Sequence, residues 1–193
     1  MQAGQMLYTA WRYARWPLAV LVLAFVVLVA WRLKLLYELD NTNAAVAAIH
    51  ANRLTQEDVF GALPPEPNKA ENDATLAGID TNQNGIRDDV ERAIYFKYQE
   101  SAQQAAPAFQ YAKALQMEFT HVYNSPTLVA VMQEEDRASL CMLDLKKDEE
   151  IEKLVFNTDI RRQRQEEIYK KYMTSYTLPN KDGCDLDAAS LEN

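Results

Sequence analysis

Two histidines, two cysteines and five glycines in 193 residues leave little material for the commoner kinds of active site. The chain has no H-E-x-x-H, no G-x-S-x-G and no glycine-rich phosphate loop, so zinc proteolysis, serine acyl transfer and P-loop chemistry have no motif to rest on. His50 stands alone. His121 lies beside Phe119 and Tyr123, where a structural histidine is expected in place of a base. Cys141 has no C-x-x-C partner. Acid is missing from residues 1–37, which carry Arg12, Arg15, Arg32 and Lys34, and base is scarce in the rest. There 16 bases face 28 acids, a net of −12. Such an acidic body argues against nucleic acid, whose phosphates need a basic face, and suits cations or basic partners. Alternation of apolar and polar residues at period two is also absent, which excludes a sheet and points to an all-α fold.

What the chain does have is one long apolar run, Trp16 to Trp31, with no charge between Arg15 and Arg32. It is slightly short of the ~20 residues that span a bilayer core. Arg32 and Lys34 can snorkel while Leu33, Leu35 and Leu36 extend the apolar zone. Trp11, Tyr13 and Trp16 on one side, and Trp31 and Tyr37 on the other, have the character of interface belts. The run is therefore read as an uncleaved signal-anchor within residues 1–37, with residues 16–37 meeting the membrane. The competing reading is a signal peptide cut after Ala30, whose Leu28-Val29-Ala30 site lacks the small residue expected at its start. Cys141 and Cys184 both follow the run, and an even pair in an exported body suggests a disulfide. Reduced thiols in a cytosolic body are the alternative. The expected location is the bacterial inner membrane, single-pass, with the C-terminal body in the periplasm.

Beyond the anchor, residues 38–63 read as a helical stalk, with Thr55 and Asp58 as a capping box. Residues 64–73, "PPEPNKAEND", read as a proline-rich linker. A helical domain is expected over 74–178. Val90, Ile94 and Tyr98 mark the inner face of its first helix, and Pro107 opens the next, burying Phe109, Ala112, Leu115, Phe119 and Val122. Ser125-Pro126 caps a further helix or pair of helices carrying Leu128, Val131, Met132, Cys141 and Leu145. Thr158 caps the last helix, with Ile160, Ile168 and Tyr172 inward and "RRQRQEE" solvated. Tyr169, Tyr172 and Tyr176 form a stripe that suits core packing first and a partner-binding face second. Residues 179–193 read as an irregular tail.

The most specific motif is "DTNQNGIRDDVE", residues 80–91. Asp80, Asn82, Asn84, Gly85 and Glu91 fill every specified position of the calcium pattern D-x-[DN]-x-[DN]-G-x₅-E. Calcium takes six to eight oxygen ligands. Side chains at positions 1, 3 and 5 converge as the chain curls, Gly85 allows the sharp turn, and Ile86 offers its backbone carbonyl. Asp88 stands where a water often intervenes, and Glu91 closes the site. An Asn-Gly turn followed by an acidic helix start accounts for residues 84–91. It does not account for Asp80 and Asn82 at their spacing.

The loop resembles solitary EF-hand-like calcium loops of the dockerin-like and thrombospondin type 3-like kind. It departs from paired EF-hands: no full helix precedes it, Arg87 replaces the apolar residue at position 8, and no second loop follows. "ATLAGIDTNQNGIRDDVERAIYFKY" also resembles a group of proteobacterial envelope proteins with this loop ahead of a helical domain. That likeness covers the latter two-thirds of the chain. It implies location and architecture and no activity. Calcium is the expected cofactor, held structurally and weakly because only Asp80, Asp88 and Glu91 bring charge. The expected function is a membrane-anchored envelope protein with a calcium-stabilised helical protein-interaction domain and no catalytic role. The alternative is a carboxylate-dependent envelope hydrolase.

Overall fold

A computed structural model describes residues 2–142, 148–178, 183–187 and 191. They form eight helices: α1 Gln2–Ala51, α2 Gln56–Phe60, α3 Lys69–Asp73, α4 Asp88–Tyr98, α5 Ala102–Thr120, α6 Ser125–Cys141, α7 Asp148–Val155 and α8 Asp159–Tyr172. No strand occurs among the described residues, so the fold is all-helical. The chain divides into two compact units, Met1–Ala44 and Ala45–Asn193.

The first unit is the greater part of α1. From Arg15 onward this helix is long and apolar enough to cross a membrane, and no side chain of its apolar run is buried. Leu21, Leu23, Phe25 and Trp31 are each more than half exposed, as an apolar helix without a protein neighbour must be.

The second unit is built around α5. Every residue from Ala105 to Glu118 is buried, and α5 packs against α2, α4, α6, α7 and α8. Its start is set by Ser101, whose carbonyl accepts the N–H groups of Gln104 and Ala105. Pro107 therefore lies inside the helix and does not open it. α4 buries Val90, Ile94 and Tyr98 as expected. α6 is one helix capped by Asn124, not Ser125, in a reciprocal box with Thr127; the N-cap rule favours the residue whose side chain reaches the N3 amide. Leu145 lies outside the described residues.

The compact unit starts well before Ala74. Ile49, Leu54 and Val59 enter the same core as α4 and α5. The 64–73 stretch also packs: the Pro64 carbonyl accepts from Arg92 (2.7 Å) and Asn72 is buried. This segment is held mainly by polar bonds, which hydropathy does not reveal. The α2 capping box of Thr55 and Asp58 is formed. At the other end, Cys141 and Cys184 are at disulfide-bond distance, 2.08 Å, and Leu191 is buried.

α8 presents a different inner face from the expected one. Ile168 is buried, but Ile160 is 43% exposed and Arg161 is fully buried. The Arg161 guanidinium donates to the carbonyls of Asn72 (2.6 Å), Thr75 (3.0 Å) and Leu76 (3.1 Å) and to Asn157 Oδ1 (2.5 Å). A buried arginine is tolerated when its fork of donors is satisfied in this way. Tyr169, Tyr172 and Tyr176 pack against the core.

Candidate functional site

Residues 80–91 fold into a curl that ends in the first turn of α4. Gln83 (φ 59) and Gly85 (φ 87) adopt left-handed backbone conformations, which bend the chain sharply twice within three residues. The bend is pinned from inside. Asp80 Oδ1 accepts the Asn84 N–H (3.2 Å) and Asp80 Oδ2 accepts that of Gly85 (2.9 Å). Asn84 Oδ1 accepts the Ile86 N–H (2.8 Å). From the helix side, Glu91 reaches back: its carboxylate accepts from the amides of Asn82 (3.2 and 3.3 Å) and Asn84 (3.2 Å).

Asp80, Asn82, Asn84 and Glu91 thus gather at one point. The other two sequence candidates are Ile86, whose expected contribution is its backbone carbonyl, and Asp88. Ile86 buries its side chain completely. Asp88, also fully buried, accepts the Thr81 N–H (2.9 Å) and hydroxyl (2.5 Å) and braces the loop across its mouth.

The electrostatics follow from that crowding. Burial pushes the Glu91 carboxyl up to about 7, and the charges of Asp88 and Asp80 add to it. Burial also raises Asp80, with Asp88 contributing. Among the described residues no three His, Cys, Asp or Glu side chains are grouped as metal ligands. A cation here would depend on a mixed set: the carboxylates of Asp80 and Glu91, the amide oxygens of Asn82 and Asn84, and a backbone carbonyl. That set is all oxygen, as a hard cation requires. A divalent cation would offset the cost of holding Glu91 ionised.

Sequence reasoning missed what holds the loop to the rest of the domain. Arg87 is fully buried and points away from the curl. Its guanidinium donates to the Leu154 (2.8 Å) and Val155 (3.2 Å) carbonyls at the C-terminus of α7, and pairs with Asp89 (2.5 Å). Those carbonyls have no partner within their own helix, and a cation there also meets the negative end of the helix dipole. Gly78 (φ 70) makes room for the arginine: a Cβ there would lie 2.1 Å from Arg87 Cδ and 2.7 Å from Asn72 Oδ1. Asn72 Oδ1 in turn accepts the Ile79 N–H (2.9 Å). The one signal in the sequence was Arg87 itself, at a position where paired loops put an apolar residue.

A second acidic cluster lies deeper. Glu118 of α5 and Glu135 of α6 both contact the Tyr169 hydroxyl (3.4 Å each), and Gln165 donates to Glu118 (3.2 Å). Burial raises the Glu118 carboxyl to about 7, with the charge of Glu152 adding to it, and pushes Glu135 up as well, where the charge of Glu118 adds to the effect. Glu118 is wholly enclosed, so a substrate does not reach it. His121 bonds Thr120 Oγ1 (2.7 Å), and burial lowers its basicity.

Compared with known proteins, the chain matches no family model, no curated protein sequence and no solved structure.

Proposed function

We propose that this is a membrane-anchored envelope protein, its body in the periplasm, whose 80–91 loop binds calcium as a structural brace for a helical protein-interaction domain. The observation that carries the reading is the convergence of Asp80, Asn82, Asn84 and Glu91 on one point of the curl. The ion would cross-link the loop to the first turn of α4. Through Arg87 the same loop is tied to α7, so calcium would firm the corner where three segments meet. A site with few carboxylates belongs to the weak class that suits millimolar calcium outside the cytosol, near ~10⁻⁴–10⁻³ M. That range favours a standing brace over a signalling switch. The apolar first unit supports anchoring, and the paired cysteines support an oxidising compartment. Exposed aromatic side chains on α4 support the interaction role.

Thermal melting of the full chain in non-ionic detergent, in chelator and in calcium, tests the brace. With a Kd of ~0.1 mM and ~1 mM calcium the gain is about 1.4 kcal/mol. That corresponds to a rise in Tm of roughly 3–8 °C. Magnesium gives much less, because it keeps its waters and prefers a tight octahedral shell. Glu91→Ala abolishes the calcium effect. Superimposable melts in chelator and calcium would reduce the loop to a turn and a helix cap.

A further inference from the structure

α4 buries one side and leaves the other open. On the open side stand Tyr95, 39% exposed, and Phe96, 54% exposed, their rings meeting edge to face at 5.5 Å. Phe60 of α2, 53% exposed, borders the same region. Three exposed aromatic rings around one short helix are more than scattered surface apolarity requires.

Two clefts flank this face. One, of about 390 Å³, is lined by Phe96 and Arg92 together with Glu66 from the preceding segment. The other, of about 280 Å³, is lined by Tyr95, Phe60 and Glu100. Residues 92 and 96 lie on one flank of the helix and 95 and 99 on the other, as 100° per residue dictates.

The charges decide what these clefts suit. In the first cleft Lys69 is paired with Asp73 (2.5 Å), and Arg92, whose hydrogen bond to the Pro64 carbonyl (2.7 Å) holds it in place without neutralising it, shares the lining with Glu66 and Asp89. Glu66 and Glu100 are exposed and make no hydrogen bond or ion pair with any described residue. Each cleft therefore offers an aromatic wall and an uncommitted carboxylate. Arg92 shows that the Phe96 ring accepts a cation, lying 5.4 Å from its centroid. An arginine or lysine stem laid along such a ring, with its charge on the carboxylate, satisfies both halves of the cleft.

We infer that the outer face of α4 docks an extended cationic segment of a partner protein, with one arginine or lysine entering each cleft. The inference rests on the reading of the domain as an interaction module and names the surface and the chemistry of its partner. A second copy of this chain would set acidic clefts against acidic clefts, which repel. An anionic bilayer surface would meet the net −12 of the body with the same sign.

The full chain in non-ionic detergent is titrated into a dye-labelled Arg-Ala-Ala-Arg peptide, and binding is read by fluorescence anisotropy. Saturable binding is expected, weakened by salt and absent for Glu-Ala-Ala-Glu. Glu66→Gln with Glu100→Gln weakens it about tenfold, the worth of a lost charge-assisted contact. Glu166→Gln with Glu167→Gln on α8 removes the same charge from exposed positions and changes binding less than twofold. Phe96→Ser weakens binding while leaving the melting temperature within a degree or two, since the ring is exposed. Equal weakening by the two glutamine pairs would overturn this surface yet keep a cation-binding module. Absence of saturable binding, or self-association that Phe96→Ser abolishes, would overturn the inference outright.

Discussion

Gly78 and Gly85 both hold positive φ angles, yet they differ in what surrounds them. A Cβ on Gly85 would meet nothing closer than Lys113 Cε at 3.5 Å, an ordinary contact. Only the left-handed backbone opposes a side chain there, at about 1–2 kcal/mol. A Cβ on Gly78 would overlap Arg87 Cδ and crowd Asn72 Oδ1. Relief there means moving a fully buried guanidinium off two helix-end carbonyls, so backbone strain and lost hydrogen bonds add to about 3 kcal/mol or more. Gly78→Ala should therefore destabilise the chain clearly more than Gly85→Ala in denaturant midpoints measured in chelator. The reverse order would mean that Arg87 does not anchor the loop. Gly85 was legible in the sequence because the calcium pattern specifies it. Gly78 was not, because its necessity comes from an arginine nine residues away that only the fold brings back to it.

At the scale of the element, the helices announced by apolar spacing were legible. Val90, Ile94 and Tyr98 placed α4, and the absence of period-two alternation excluded a sheet. Pro107 misled because a proline suits a first helical turn, whereas Ser101 starts α5 and burial on all sides fixes it. Arg161 misled for a deeper reason: periodicity treats arginine as solvated, but carbonyls of residues 72–76 satisfy it inside. The same blindness hid the 45–73 segment and the tail. Asp185 accepts from the Leu54 N–H (2.8 Å) and from Arg137 (2.7 Å), and the Gly183 carbonyl accepts from Gln110 (2.6 Å). The Cys141–Cys184 bond closes 43 residues around these contacts. The chain-entropy model puts its worth at about 4 kcal/mol at most. Reduction should lower stability by up to that amount and expose the 183–187 strap to hydrogen exchange ahead of the α5 core. Alkylation of two free thiols in protein taken directly from cells would reject both the bond and the proposed oxidising compartment.

For the molecule as a whole, the two acidic clusters set how stability depends on pH. In the folded chain Glu91 and Glu118 each titrate near 7, raised from 4.5 by burial and neighbouring carboxylates. A carboxyl whose folded pKa is raised binds its proton more tightly when folded. Its stabilisation is complete below about pH 4.5, is lost as pH rises to about 7, and changes no further above that. Glu135 pulls the same way, facing Glu118, Asp136 and Tyr169. His121 pulls the other way, since burial lowers its basicity and so adds stability as pH rises toward 6.5, but it is one group against three. Asp73, held below the usual carboxylate range by its bond to Lys69, lies below this window. In chelator, the full chain should therefore melt higher at pH 5 than at pH 8. The difference is on the order of 2–3 kcal/mol, less than the shifts would give in full because protein and water relax around each ionised group. Calcium reverses the preference of the loop carboxyls, Glu91 and Asp80, since the ion needs their ionised forms. It should raise stability at pH 8 much more than at pH 5 and flatten the profile. Glu118→Gln should remove part of the slope in chelator and in calcium alike, because the deeper pair does not touch the loop. A slope that calcium leaves unchanged while Glu118→Gln abolishes it would assign the whole pH dependence to the α5–α6–α8 junction and leave the loop without an ion.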